Sequence, residues 1–210
     1  MTRPVVVAVS AVILALSLAG CVPTSEPVSS PSPSASESDR PTASAAPSAT
    51  PTAAPVTLVD CEAMLSIDQA RALFSADTEF FGEFPVSEFG GRFEISAIRE
   101  VLLAAPQAKL CVWGVPNSDG SFALVVADIS AADRATLTSA LNSNGFPSEI
   151  TGGVTTLELE AESVVSTVAA THALTDDIWV LCDGTSLALT AAVVDSARVA
   201  LRAANPTLGI

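Results

Sequence analysis

The sequence predicts an α+β domain over residues 58–210, an antiparallel sheet with helices packed on one face. Three observations predict it. Two cysteine-bearing apolar runs, around Cys111 and Cys182, are each followed by a turn signal, a second apolar run and a helical pattern. Between them, residues 155–162 alternate Leu157 and Leu159 with Glu158 and Glu160, the two-residue period of a half-exposed strand. Serines at 66 and 130 each precede apolar residues spaced by three or four, which is how a capped helix begins.

Taken in order, Ser66 opens a helix over 66–76 with Ile67, Ala70, Leu73 and Phe74 on one face. Residues 77–93 scatter Phe80, Phe81, Phe84, Phe89 and Phe93 among glycines and polar residues, the pattern of a long, partly packed loop. A short helix over 95–104 is stopped by Pro106. Strands at 109–115 and 122–129 flank a turn at 116–120 and form a hairpin. Ser130 then caps a helix reaching about residue 142, with Leu137 and Leu141 inward and Asn144-Gly145 at its end. Residues 155–162 and the β-branched stretch 163–172 are both strands. The tail reads as a strand at 178–182, a tight turn at Asp183-Gly184, a strand at 186–190 and a helix over 193–204 stopped by Pro206. The order strand, turn, strand, helix thus occurs twice, which suggests two ββα halves.

Upstream of the domain the chain changes character. Arg3 precedes an apolar run over 5–19 broken only by Ser10 and Ser17, too short to cross a bilayer, which takes roughly twenty residues of helix. Residues 1–20 therefore read as an export signal. Residues 22–57 follow Cys21, and 29 of these 36 are Pro, Ser, Thr or Ala. So little apolar surface cannot offset the entropy of ordering, so a disordered tether is expected. Its reach is between about 35 Å as a coil and about 110 Å as extended polyproline II.

The domain from residue 58 carries 7 basic and 20 acidic side chains, a net of −13, and Lys109 is the only lysine in the chain. That field repels phosphate, so neither nucleic acid nor direct adsorption to anionic lipid is expected. Three cysteines remain in the domain, Cys61, Cys111 and Cys182, so at most one internal bridge forms. A bridge from Cys61 to Cys111 would staple the tether end to the sheet and is favoured over Cys111 to Cys182. The third cysteine is expected to be a buried small hydrophobe.

Leu18-Ala19-Gly20-Cys21 resembles the lipobox of bacterial lipoproteins. That resemblance implies cleavage before Cys21, lipid on its sulfur, and attachment to the outer face of the cell membrane through that anchor. Lipobox, Pro/Ser/Thr tether, Cys61 before the first helix and the strand Cys111-Val112-Trp113 together resemble a group of secreted actinobacterial lipoproteins with no assigned activity. The resemblance implies a fold more than a function, and Cys182 lies outside its pattern.

Chemistry is sparse in the motifs. His172 is the only histidine, no Gly-x-Ser-x-Gly elbow accompanies it, and it reads as structural. The domain cysteines lie 50 and 71 residues apart, which does not suit zinc, and Asn117-Ser118-Asp119-Gly120 reads as a turn without the distal glutamate of a calcium loop. No metal and no cofactor are expected. Trp113 and Trp179 each lie within three residues of a strand cysteine, placed either for core packing or as an aromatic platform for a sugar or apolar group. The expected function is a non-catalytic binding or accessory domain displayed at the cell surface, with a cell-wall or protein partner. The alternatives are a carboxylate-dependent wall hydrolase and a small solute receptor.

Overall fold

The computed structural model describes residues 55–89, 94–163 and 166–210. The expected leader, Cys21 and the tether up to residue 54, together with Phe93, lie outside them. The chain runs α1 (Cys61–Met64), α2 (Ile67–Leu73), β1 (Glu79–Phe84), α3 (Val86–Phe89), α4 (Ser96–Ala104), β2 (Ala108–Gly114) and β3 (Ser121–Asp128). It continues with α5 (Ala131–Ser143), β4 (Ser148–Thr151), β5 (Val154–Glu162), β6 (Thr167–Leu174), β7 (Ile178–Gly184) and α6 (Leu187–Ala204). All seven strands join one antiparallel sheet in the order β1-β2-β3-β7-β6-β5-β4, which is the α+β class expected.

The helices divide between the two faces of this sheet and do not gather on one. Phe122, Leu124 and Val126 of β3, with Ile178, Val180 and Cys182 of β7, pack under α6, α1 and α2. The alternate residues Ala123, Val125 and Ala127, with Trp179 and Leu181, pack under α4 and α5. The cause is legible in β3 and β7 themselves. Their apolar residues are continuous and do not alternate, so either face left bare would expose a row of Val and Leu, each worth about 1.5–3 kcal/mol when buried.

The two expected ββα halves are also corrected. Residues 186–190 begin α6, where the Ser186 hydroxyl accepts the Leu189 N–H at 3.3 Å. Gly184 ends β7 against that helix, and a Cβ there would meet Leu189 and Thr190 side chains at 3.2 Å. Apart from the edge strand β4, strand order is symmetric about the β3–β7 pair, with β1-β2-β3-α5 on one side and β5-β6-β7-α6 on the other. A two-fold axis relating two antiparallel central strands must stand normal to the sheet and would put both helices on the same face. α5 and α6 lie on opposite faces, so the halves are not equivalent copies.

Two strands fall where none is expected. The Phe-rich segment forms β1, whose alternation is broken by a bulge at Gly82 with φ +131°. Residues 148–151 form β4, joined to β5 by Gly152 and Gly153 with φ +60° and +85°, the positive angles that two-residue hairpins require. Both helix starts inferred from serine are capping boxes: Ser66 with Gln69, and Ser130 with Asp133.

Candidate functional site

The two tryptophans lie on opposite faces of the sheet. Trp113 is fully buried beside the disulfide, stacked on Phe122 with ring centroids 5.6 Å apart and tilted against Phe80 at 5.1 Å. Trp179 is equally buried on the α4–α5 face. Neither ring presents a face to solvent, so in this arrangement they form no shared platform.

Cys61 and Cys111 are disulfide-bonded, fastening α1 to β2. Lys109 reinforces the same corner, reaching Glu83 at 3.0 Å and Asp60 at 3.5 Å; the hydrogen bond to Glu83 is the main cause that raises its pKa. Cys111 and Cys182 both oppose Leu124, from the strands on either side of it. Two strand spacings of about 4.8 Å separate them, beyond the roughly 7 Å limit between Cα atoms for a bridge. Cys182 is a buried free thiol whose pKa is pushed up by burial and, to a lesser degree, by Asp183.

His172 is the least ordinary residue of the domain. It is wholly buried on β6, its ring stacked on Trp179 with an 8° interplanar angle and met edge-on by Phe146 at 5.2 Å. Trp179 Nε1 donates to His172 Nδ1 at 3.2 Å. An indole nitrogen only donates, so Nδ1 must be the unprotonated acceptor and the neutral ring carries its hydrogen on Nε2. Burial lowers the pKa to about 3, which keeps the ring neutral at physiological pH. Nε2 is buried and has no hydrogen-bond partner among the described residues.

Above His172 opens a cleft of about 310 Å³. Ile95 and Ile98 from the start of α4, Phe146 beyond α5, and Leu159, Val168 and Ala170 of β5 and β6 line it, while Glu94, Asn144 and Asp183 contribute polar groups. A smaller hollow of about 80 Å³ shares Phe146, Leu159, Val168 and Ala170. The apolar lining is open to solvent, Val168 being 44% exposed.

The chain joins the domain at the other end of the sheet. Asn205 clamps Thr57 from both sides, accepting its N–H at 2.8 Å and donating to its carbonyl at 2.9 Å. Gln107 donates to the Val56 carbonyl at 3.2 Å. Pro55 and Val56 sit beside Asp128 and Asp177, where β3 ends and β7 begins. Asp183 and Val168 mark the opposite end of β7 and β6. Five residues of strand, about 17 Å, separate the two ends.

Three carboxylates, Asp128, Asp176 and Asp177, share that joining end and line a hollow of about 430 Å³. Asp128 has a raised pKa, first from burial and then from Asp177, while Arg134 holds Asp176 at 2.6 Å. Among the described residues no cluster of three or more His, Cys, Asp or Glu is arranged to hold a metal ion, and no helix is long and apolar enough to cross a membrane.

The architecture is thus an open antiparallel sheet covered on both faces, with one apolar cleft over a buried imidazole. Comparison with protein-family models, curated proteins and solved structures found no match for this chain. Sequence reasoning read His172 as structural; the structure buries it completely, bonds it to Trp179 and sets it beside the cleft, a position that the sequence reading did not foresee. A signal was present: a tight hairpin between 174 and 179 pairs Leu174 with Trp179 and so brings His172 and Trp179 to neighbouring positions on one face. Phe146, Leu159 and Val168 carried no such signal.

Proposed function

We propose that this protein is an extracytoplasmic lipoprotein, cleaved before Cys21 and lipidated there, which displays a non-catalytic binding domain from the outer face of the cell membrane. The lipobox-like run ending at Cys21 supports the anchor. The observation that carries the binding role is the apolar cleft over His172, at the end of the sheet away from the residues where the tether arrives. The only imidazole is committed to Trp179 and is a weak base, which suits a fixed donor better than a proton carrier.

Metabolic labelling with a fatty acid tests the anchor. Wild type should incorporate label and yield a mature N-terminus at Cys21, while Cys21→Ser should incorporate none. An unmodified Cys21, or a retained leader, overturns the display reading.

A second reading, a carboxylate-dependent wall hydrolase, is favoured by one observation, the raised pKa of Asp128 beside Asp177. Cell-wall glycan turnover that disappears in Asp128→Asn would establish it. Undiminished turnover in that variant, or none in wild type, removes it.

A further inference from the structure

We propose that the cleft over His172 binds an uncharged, largely apolar small molecule that places one acceptor oxygen, of the carbonyl or ether kind, on the His172 Nε2–H. This deepens the binding-domain reading and rests on it. Two observations converge. Nε2 is a buried donor without a partner among the described residues, and such a group is unfavourable unless something accepts its hydrogen. The residue that bears it lines the cleft, whose walls are mostly carbon (Ile98, Phe146, Leu159, Val168 and Ala170), with Glu94, Asn144 and Asp183 as the polar groups.

Charge narrows the class from both sides. A cationic group cannot accept from an N–H. An anion would enter past Glu94 into a domain with 20 acidic and 7 basic side chains, which repels it. What remains is a neutral acceptor on an apolar body. At about 30 Å³ for each water-sized group, the 310 Å³ cleft holds about ten non-hydrogen atoms.

Three probes of similar size separate these features: acetophenone, with a carbonyl; ethylbenzene, without an acceptor; and benzoate, with a charge. They are titrated against the mature chain, residues 21–210 carrying Cys21→Ser so that no detergent competes, while the His172 imidazole nitrogens are followed by NMR. Acetophenone should bind and shift the Nε2 resonance, with ethylbenzene and benzoate each about tenfold weaker. His172→Phe should reduce acetophenone to the ethylbenzene level. Ala170→Phe, which fills the cleft and leaves His172 in place, should abolish binding of all three, and it decides the matter with the wild-type series if His172→Phe does not fold. Equal affinity for acetophenone and ethylbenzene, benzoate bound most tightly, full binding in Ala170→Phe, or no probe bound would each overturn the proposal. Lipid on Cys21 in a protein that binds none of the probes would sink the cleft assignment and leave the display reading standing.

Discussion

Trp179 donates its indole N–H to His172 Nδ1 at 3.2 Å across the β6–β7 hairpin, with the two rings nearly parallel. One bond thereby sets the tautomer of the only histidine and turns its other nitrogen into a fixed donor under the cleft.

Trp179→Phe removes that donor while keeping most of the ring. His172 Nδ1 is then a buried acceptor without a partner, costing about 1–3 kcal/mol. Urea unfolding followed by circular dichroism should show that loss, and nitrogen NMR should show the imidazole no longer held as a single tautomer. An unchanged tautomer would mean that packing alone orients the ring.

The same burial makes stability depend on pH. The folded pKa of His172 is about 3 against an ordinary 6.5, so between those values the unfolded chain binds the extra proton and the native state does not. Stability is therefore full above pH 7 and falls as pH falls through 6.5, by about 2 kcal/mol between pH 7 and 5. Denaturant melts of wild type and His172→Phe at both pH values measure this. Wild type should lose about 2 kcal/mol more than the variant over that interval, and identical pH dependence would count against a buried neutral ring.

The Cys61–Cys111 bridge closes a 50-residue separation and should contribute about 2–4 kcal/mol. Reduction, or the double variant Cys61→Ser with Cys111→Ser, should lower the urea midpoint accordingly. In the intact protein Cys182 should resist alkylation until denaturant is added, because its thiol is buried and its pKa raised. Alkylation of the folded protein at neutral pH would contradict the core placement.

Asn205→Ala should loosen the start of the domain. The side chain makes three hydrogen bonds, two to Thr57 and one to the Leu201 carbonyl at 2.9 Å. Losing them costs about 1–3 kcal/mol in total. Limited proteolysis should then cut near residues 55–60 faster than in wild type, with α6 still protected; cleavage inside α6 first would show that Asn205 matters to the helix and not to the junction.

Glu158 and Glu160 bear out the half-exposed strand that period-2 alternation predicts, and the structure adds a hydrogen-bond partner for each carboxylate. Glu160 accepts the Leu187 N–H at 3.0 Å and so supports the start of α6, and Glu158 accepts from the Thr171 hydroxyl at 3.2 Å. Gly82 had the opposite effect on the Phe-rich segment, breaking alternation with a bulge and hiding β1. At 186–190 a short apolar run suited a strand as well as a helix; in the structure Ser186 caps α6, and Leu189, Val193 and Val194 bury its apolar face.

By itself the sequence determined the helix starts at Ser66 and Ser130, the β2–β3 hairpin, the antiparallel α+β class and the acidity of the domain. These rest on local chemistry, on caps, turns and periods that act within a few residues. Tertiary structure alone decided which helices cover which face, that Cys111 lies too far from Cys182 to bridge, and that His172, Phe146 and Ile98 meet around one cleft. Those outcomes depend on strand order and on the face each helix takes, and residues far apart along the chain have no local signal of the partners that burial will give them.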